Sequence, residues 1–218
     1  MTSLRILLAD DHAILREGIR RSFESAGEEV VGEAANGEEA MELAMATNPD
    51  VIVMDLSMPV LDGIDATRRI KELMPDAKIV VLTMHDDVES TRRAVGAGAA
   101  GFMSKGSSFA DVLATVRGVA QGDIGFSPEL AAAMLNVAKE PVVIDLDADE
   151  VETLLSDRQV EILQAIADGA TTKQVARQLN ITQKTVHNHL NAIYRRLDTQ
   201  SLTHAVLSAV RLGIIELD

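Results

Sequence analysis

The sequence predicts an α/β unit built on a doubly wound, five-stranded parallel sheet, followed by a linker and an all-α unit of four helices. Three observations point there. Residues 1–121 alternate short β-rich runs with stretches of helical spacing, residues from Leu154 onward carry helical spacing alone, and the stretch between them is acidic. The expected limits are 1–123 for the α/β unit, 124–153 for the linker and 154–218 for the helical unit.

The strands are expected at Arg5–Ala9, Glu29–Glu33, Val51–Met54, Lys78–Thr83 and Gly101–Met103. Ile6-Leu7-Leu8, Val51-Ile52-Val53 and Ile79-Val80-Val81-Leu82 are continuously apolar, as strands covered on both faces must be. Helical spacing lies near 12–26, 36–47, 63–74, 87–97 and 107–121. In the linker, Ser127-Pro128-Glu129 supplies an N-cap and a first-position proline, so a short helix to about Ala138 is expected before the acidic run Glu140–Glu152. The last four helices are expected near 156–168, 172–178, 183–197 and 201–211. Ser156 caps the first, with Gln159 at the capping-box position, and Gly169 closes it. Asn180 suits a sharp left-handed turn and Thr182 caps the third helix, so the second and third helices form a helix-turn-helix.

Hydrophobic residues make up 47% of the chain and aromatics 2%, so the core is aliphatic. The absence of cysteine excludes disulfides, thiolate zinc sites and Cys nucleophiles and suits a reducing cytoplasm. No apolar run reaches the roughly 20 residues that span a bilayer, and the first residues do not read as a signal peptide, so no membrane partner is expected. The net charge of −14 argues against nucleic acid until it is divided. Residues 1–125 carry 12 basic and 21 acidic side chains, residues 126–153 carry 1 and 7, and residues 154–218 carry 7 and 6. The last segment, at +1, is the part that phosphate would not repel.

Ligands of such sheets bind outside the carboxyl ends of the strands. There the sequence puts Asp10 and Asp11 after the first strand, Asp55 after the third, Thr83 at the end of the fourth and Lys105 past the fifth. Three crowded carboxylates call for a cation, and oxygen ligands suit Mg2+. One carboxylate can then act as a nucleophile toward phosphorus, with Lys105 and Thr83 meeting the phosphoryl oxygens. Asp62 reads as a loop residue beside Gly63, and His12 and His85 as loop or helix-start residues rather than ligands. Gly96-Ala-Gly-Ala-Ala-Gly101 fits a dinucleotide fingerprint in letters only. It follows a helix and enters a strand, the reverse of what the pyrophosphate needs, so its glycines are assigned to helix termination and close packing.

These pieces, Leu7-Leu8-Ala9-Asp10-Asp11-His12, Asp55-Leu56-Ser57-Met58-Pro59-Val60-Leu61-Asp62-Gly63, Val81-Leu82-Thr83 and Gly101-Phe102-Met103-Ser104-Lys105, resemble the flavodoxin-like receiver domain of two-component response regulators. The resemblance implies Asp55 as phosphoacceptor, phosphorylated by a histidine kinase or a small phosphodonor. It implies Mg2+ on Asp11, Asp55 and the backbone carbonyl of Ser57, with Asp10 acting through water. Thr83 becomes the switch hydroxyl, Lys105 the phosphate partner and Phe102 the aromatic that turns inward on activation. Met84 stands where many receivers carry a smaller residue.

On the third C-terminal helix, Val186, Leu190, Ile193 and Leu197 form an apolar stripe. Lys184, Asn188, Asn191 and Arg195 share another face, with His187 beside it; amides and basic groups so placed can reach base edges in a major groove. Gln183, Lys184 and Thr185 at the helix start can meet phosphates. His189 is expected as a packed core histidine. Leu155–Leu163, Gly169, Lys173–Ala176 and Thr185–Leu190 resemble the LuxR-type domain of the NarL/FixJ family. That resemblance implies base contacts from His187, Asn188 and Asn191 and phosphate contacts from Lys184, Thr185 and Arg195 of a domain that binds double-stranded DNA. One domain of charge +1 would hold DNA weakly, so a homodimer is expected. Gln159 and Gln174 stand where Glu is usual, Thr172 where Asn is usual, and His187 where Lys is common. Leu202, Val206 and Ala209 are open to two roles, dimer contact or packing within their own unit. Two other functions compete, and a third variant, DNA binding without phosphorylation, is opposed by the intact set of Asp10, Asp11 and Asp55. A phosphatase of the haloacid-dehalogenase kind needs an acid two residues past its nucleophile, where this chain has Ser57; a protein-interaction module would leave DNA unprotected.

Overall fold

The computed structural model describes residues 3–84, 88–122, 154–197, 199 and 202–216. The linker, its expected helix and His85 lie outside them. Five strands alternate with five helices: β1 (Arg5–Ala9), α1 (Ala13–Ser25), β2 (Glu29–Ala34), α2 (Gly37–Thr47), β3 (Val51–Met54), α3 (Gly63–Leu73), β4 (Ile79–Thr83), α4 (Val88–Gly96), β5 (Gly101–Ser104) and α5 (Phe109–Ala120). Four helices follow: α6 (Asp157–Ala167), α7 (Thr172–Gln178), α8 (Gln183–Arg196) and α9 (Leu202–Arg211).

The sheet is parallel throughout, in the order β2-β1-β3-β4-β5. Its two faces divide by strand parity. Leu7, Ala9, Ile52, Met54 and Ile79 pack on Ala40 and Ala44 of α2 and Ala66 and Ile70 of α3. Ile6, Leu8, Val51, Val53, Val80 and Leu82 pack on Phe23 of α1 and on Val112, Val116 and Val119 of α5. Alternation inside an all-apolar run is what two covered faces require. The chain reverses direction across the sheet between β1 and β3, so the crevice for ligands opens at their carboxyl ends.

Local signals fix the helix ends. Asn36, Asp62 and Ser108 accept from the third backbone N–H of α2, α3 and α5. Asp62 is therefore a helix cap. Gly96 ends α4, and Gly98 takes a φ of 100° with the Lys71 side chain lying against it, so the glycine run does terminate a helix and admit close packing. In the second unit the Ser156 N–H donates to Gln159 Oε1 at 3.0 Å, and the Thr171 N–H donates to Gln174 Oε1 at 2.8 Å. A neutral glutamine thus performs the capping-box reach at both helix starts. Gly169 and Asn180 hold left-handed backbone (φ 87° and 52°) at the turns.

The helical core, with Ile162, Leu163, Val175, Val186, Leu190, Ile193, Val206 and Leu207, is continuous with a patch of the α/β unit comprising Ile64, Val81, Ala94, Val95, Ala97, Ala99 and Phe102. Helix α9 packs on α4. Leu202, Val206 and Ala209 are all buried within this chain. His189 is half-buried, short of the full burial of Val186, Leu190 and Ile193 and a departure from its expected core position. At 100° per residue it stands well off the stripe centred on Val186, Leu190, Ile193 and Leu197.

Candidate functional site

Four strand ends deliver the expected polar set to one edge of the sheet. Asp10 and Asp11 follow β1, Asp55 follows β3, Thr83 ends β4, and Lys105 follows β5. The Lys105 ammonium bridges two of them, 2.7 Å from Asp10 Oδ2 and 2.8 Å from Asp55 Oδ2. Asp10 is 4% exposed and Asp55 3%. Burial acts to lower the pKa of Lys105, but hydrogen bonds to Asp10 and Asp55, and their charge, outweigh it and hold the ammonium above its ordinary value.

The remaining carboxylate oxygens are organised by backbone. Asp10 Oδ1 accepts from the His12 N–H at 2.8 Å, and Asp55 Oδ1 from the Leu56 N–H at 2.8 Å. Arg16 of α1 donates to the backbone carbonyl of Asp10, tying the first helix to the loop that carries the two aspartates. Gly63 lets α3 start against the loop after β3, because a Cβ there would lie 1.9 Å from the Asp55 carbonyl oxygen. Within that loop Val60 sits at φ 69° in a three-residue turn closed by the Leu61 N–H on the Pro59 carbonyl at 2.8 Å.

The donor set fits a hard divalent cation. Ligand atoms of Asp10, Asp11, His12 and Asp55 all lie within 4.8 Å of one another. Three carboxylates face one lysine, so the group keeps an excess of negative charge, and oxygen donors dominate it. His12 holds the N-cap position of α1, the helix start assigned to it, yet its Nδ1 is 2.7 Å from Asp11 Oδ1. Ser57 lies in the loop beside Asp62, Ser90 and Arg93. Thr83 is fully buried, its carbonyl accepting from the Lys105 N–H at 2.8 Å, and Met84 beside it is exposed. Phe102, expected to turn inward on activation, is already 1% exposed, in the cluster shared with the helical unit.

On α8, Lys184, Asn188, Asn191 and Arg195 are exposed, while Val186, Leu190 and Ile193 are buried. Thr185 is half-buried, its N–H donating to the Thr182 cap. His187 departs from its neighbours. It reaches the α/β unit, with Nε2 3.1 Å from the Gln121 carbonyl oxygen at the end of α5. His187 and Asn191 line a cavity of about 380 Å³ with Lys71, Asp76, Lys78 and Gly122 on the opposite side. Burial lowers the pKa of Lys71 to about 8, against the pull of Asp76, and lowers that of Lys78, against Asp50 and Asp76; it pushes the Tyr194 phenol up. Neither this contact nor the place of His12 has a sequence signature, because both depend on how distant segments meet.

The family model described as "Response regulator receiver domain" matches residues 6–117, and that described as "Bacterial regulatory proteins, luxR family" matches residues 153–209. The chain is 32% identical to the transcriptional regulatory protein DegU of Brevibacillus brevis, over 98% of this chain and 95% of that protein. It is 34% identical to the response regulator protein VraR of Staphylococcus aureus, over 98% of this chain and all of that one. Among solved structures it is similar to a LuxR-family two-component response regulator from Aurantimonas sp. SI85-9A1 (38% identity, TM-score 0.59, 64% of this chain and 100% of that one). It is also similar to the response regulator ChrA of a heme-sensing two-component system (30%, TM-score 0.53, 99% and 100%).

Proposed function

Because the chain belongs to the response regulators that join a receiver to a LuxR-type DNA-binding domain, we propose that phosphoryl transfer to Asp55 controls how α8 meets DNA. The protein is a phosphorylation-controlled transcriptional regulator. The receiver is assigned to residues 1–123, the linker to 124–153 and the DNA-binding domain to 154–218. The observation that carries the assignment of the acceptor is the pair of 2.7 and 2.8 Å contacts from Lys105 to Asp10 and Asp55, with Asp11 close by.

Asp10, Asp11, Asp55 and the Ser57 carbonyl would hold Mg2+, which when bound offsets the charge of the incoming phosphoryl group. The Asp55 carboxylate attacks phosphorus as the phosphoryl group leaves the histidine of a partner kinase or a small acyl phosphate. Asp55 then needs its lysine for the new phosphate, and Lys105 stands where it can follow the charge. Thr83 closes on a phosphoryl oxygen and Phe102 shifts with it. Phe102 and Val81 share a cluster with Ala94 and Val95 of α4, against which α9 packs, so a change at the phosphate reaches the DNA-binding domain through packed side chains. The receiver thus performs only its own phosphorylation and dephosphorylation.

The DNA contacts assigned to α8 are His187, Asn188 and Asn191 for bases and Lys184, Thr185 and Arg195 for phosphates. A duplex cannot lie against His187 and Asn191 while the receiver occupies the other wall of their cavity. Opening is therefore part of activation. A domain of charge +1 holds DNA weakly alone, so a homodimer on paired half-sites about 10 bp apart is the expected bound form. A regulator that meets a kinase and DNA is expected in the cytoplasm. No helix among the described residues is long and apolar enough to cross a membrane.

The test is intact-mass measurement after incubation with acetyl phosphate. Wild type gains one phosphoryl group only with Mg2+ present, and Asp55→Asn gains none. Equal labelling of the variant overturns the acceptor assignment.

A further inference from the structure

We propose that His187 is a proton-operated latch, its imidazolium clamping the DNA-reading helix onto the C-terminal end of α5; the role rests on α8 being the helix that reads DNA. Each ring nitrogen faces a backbone carbonyl. Nδ1 is 2.8 Å from the Gln183 carbonyl oxygen, one turn back on α8, and Nε2 is 3.1 Å from the Gln121 carbonyl oxygen. Carbonyl oxygens only accept. A neutral imidazole has one N–H and one lone pair, so in its neutral form one of the two contacts sets lone pair against lone pair. The imidazolium donates to both. Gln121 is the C-cap of α5, where carbonyls lack helical partners and the helix presents its negative end, so a cation is favoured there.

Gly122 shapes the seat. Its φ is 83°, and a Cβ at that position would lie 2.5 Å from His187 Nε2. Any side chain there evicts the ring. Among the described residues, the other charged or titratable groups around the cavity are Lys71 from α3, Asp76 and Lys78 from the segment leading to β4, and Tyr194 on α8 itself. Lys184 is exposed in the first turn of α8. Asp76 supports an imidazolium and the lysines oppose it. Both lysines, however, are engaged by carbonyls of their own domain, Lys71 donating to Pro75 and Ala77 and Lys78 to Ala120.

The sign of the effect separates the latch from a plain DNA contact. If His187 only touched phosphate or base edges, protonation would strengthen DNA binding. A latch closed by protonation weakens it in the unphosphorylated protein.

The experiment uses the unphosphorylated full chain and a random-sequence duplex of about 30 bp, at constant ionic strength, at about pH 5 and about pH 8. The radius of gyration is measured by small-angle scattering without DNA. Wild type is expected to bind about fivefold more weakly on the acid side and to be more compact there. Gly122→Ala is expected to be extended at both pH values and to lose the acid weakening. His187→Gln, read by scattering alone, is expected to show no pH-dependent compaction. Tighter acid binding by wild type overturns the latch, as does an unchanged pH response in Gly122→Ala or His187→Gln. Should no protein bind the duplex even after acetyl phosphate, the DNA-reading role of α8 falls, and scattering still judges the latch.

Discussion

The Nζ of Lys105 lies 2.8 Å from Oδ2 of Asp55, and each side chain is only 3% exposed. A second buried carboxylate, Asp10, shares the same ammonium at 2.7 Å. The pair is thus the electrostatic keystone of the sheet edge and, on the proposed function, the place where phosphate would enter. Removing the cation leaves two buried carboxylates facing each other, a change that typically costs about 3 kcal/mol or more. Lys105→Met is expected to lower stability by that order in metal-free buffer, and to bind Mg2+ more tightly than wild type because the competing positive charge is gone. Chemical denaturation with and without Mg2+ measures both.

Val60 is 76% exposed and carries a β-branched side chain at φ 69°. That region is strained for any L side chain and most of all for a branched one. Val60→Gly relieves the strain and gives up almost no burial, so a gain of about 1 kcal/mol is expected. Thermal unfolding of the variant, with phosphorylation by acetyl phosphate retained, checks it.

Lys71 gives a pH signature with a definite sign. Its pKa in the fold is lowered to about 8 by burial, below the lysine's ordinary 10.5. Between those values the unfolded chain holds a proton that the folded chain has released, so stability from this group rises as pH rises through the window. Below about pH 8 both states are protonated and the contribution is flat. Lys71→Met is therefore expected to show its greatest relative stability near neutrality and to lose more than about 1 kcal/mol of that advantage by pH about 10. Urea unfolding across the range measures the difference; an advantage that grows with pH contradicts the assignment.

Gln174 tests whether a neutral residue suffices in the capping box of the helix-turn-helix. Its Oε1 takes the Thr171 N–H at 2.8 Å, leaving that donor unmatched if the side chain is removed. Gln174→Ala is expected to destabilise the DNA-binding domain by about 1 kcal/mol. Gln174→Glu is expected to be neutral or slightly stabilising, since a carboxylate also favours a helix start. Thermal unfolding monitored by helical circular dichroism distinguishes the two.

Most of the fold was legible because its signals are local. Ile6-Leu7-Leu8 and Ile79–Leu82 could only be strands covered on both faces, and Gly169, Asn180 and Thr182 marked the turns that define α7 and α8. The acidic edge was legible for a different reason. Once the strands are placed, Asp10, Asp55 and Lys105 have nowhere to go but the same crevice. What escaped depends on small rotations or long-range docking. His189 stands roughly 70° round the helix from the centre of the core stripe. His12 lies against Asp11 through a loop conformation that spacing does not encode. The contact of His187 with Gln121 joins residues 66 positions apart, and the periodicity of the helices between them does not report how the two units dock.

The central claim, that chemistry at Asp55 governs DNA reading by α8, is tested most directly by selecting bound fragments from a genomic DNA library with wild type and Asp55→Asn, each with and without acetyl phosphate and Mg2+. Enrichment of a common paired half-site by wild type, increased severalfold by acetyl phosphate and unchanged in the variant, is the predicted result. Enrichment that is identical in all four samples would contradict it.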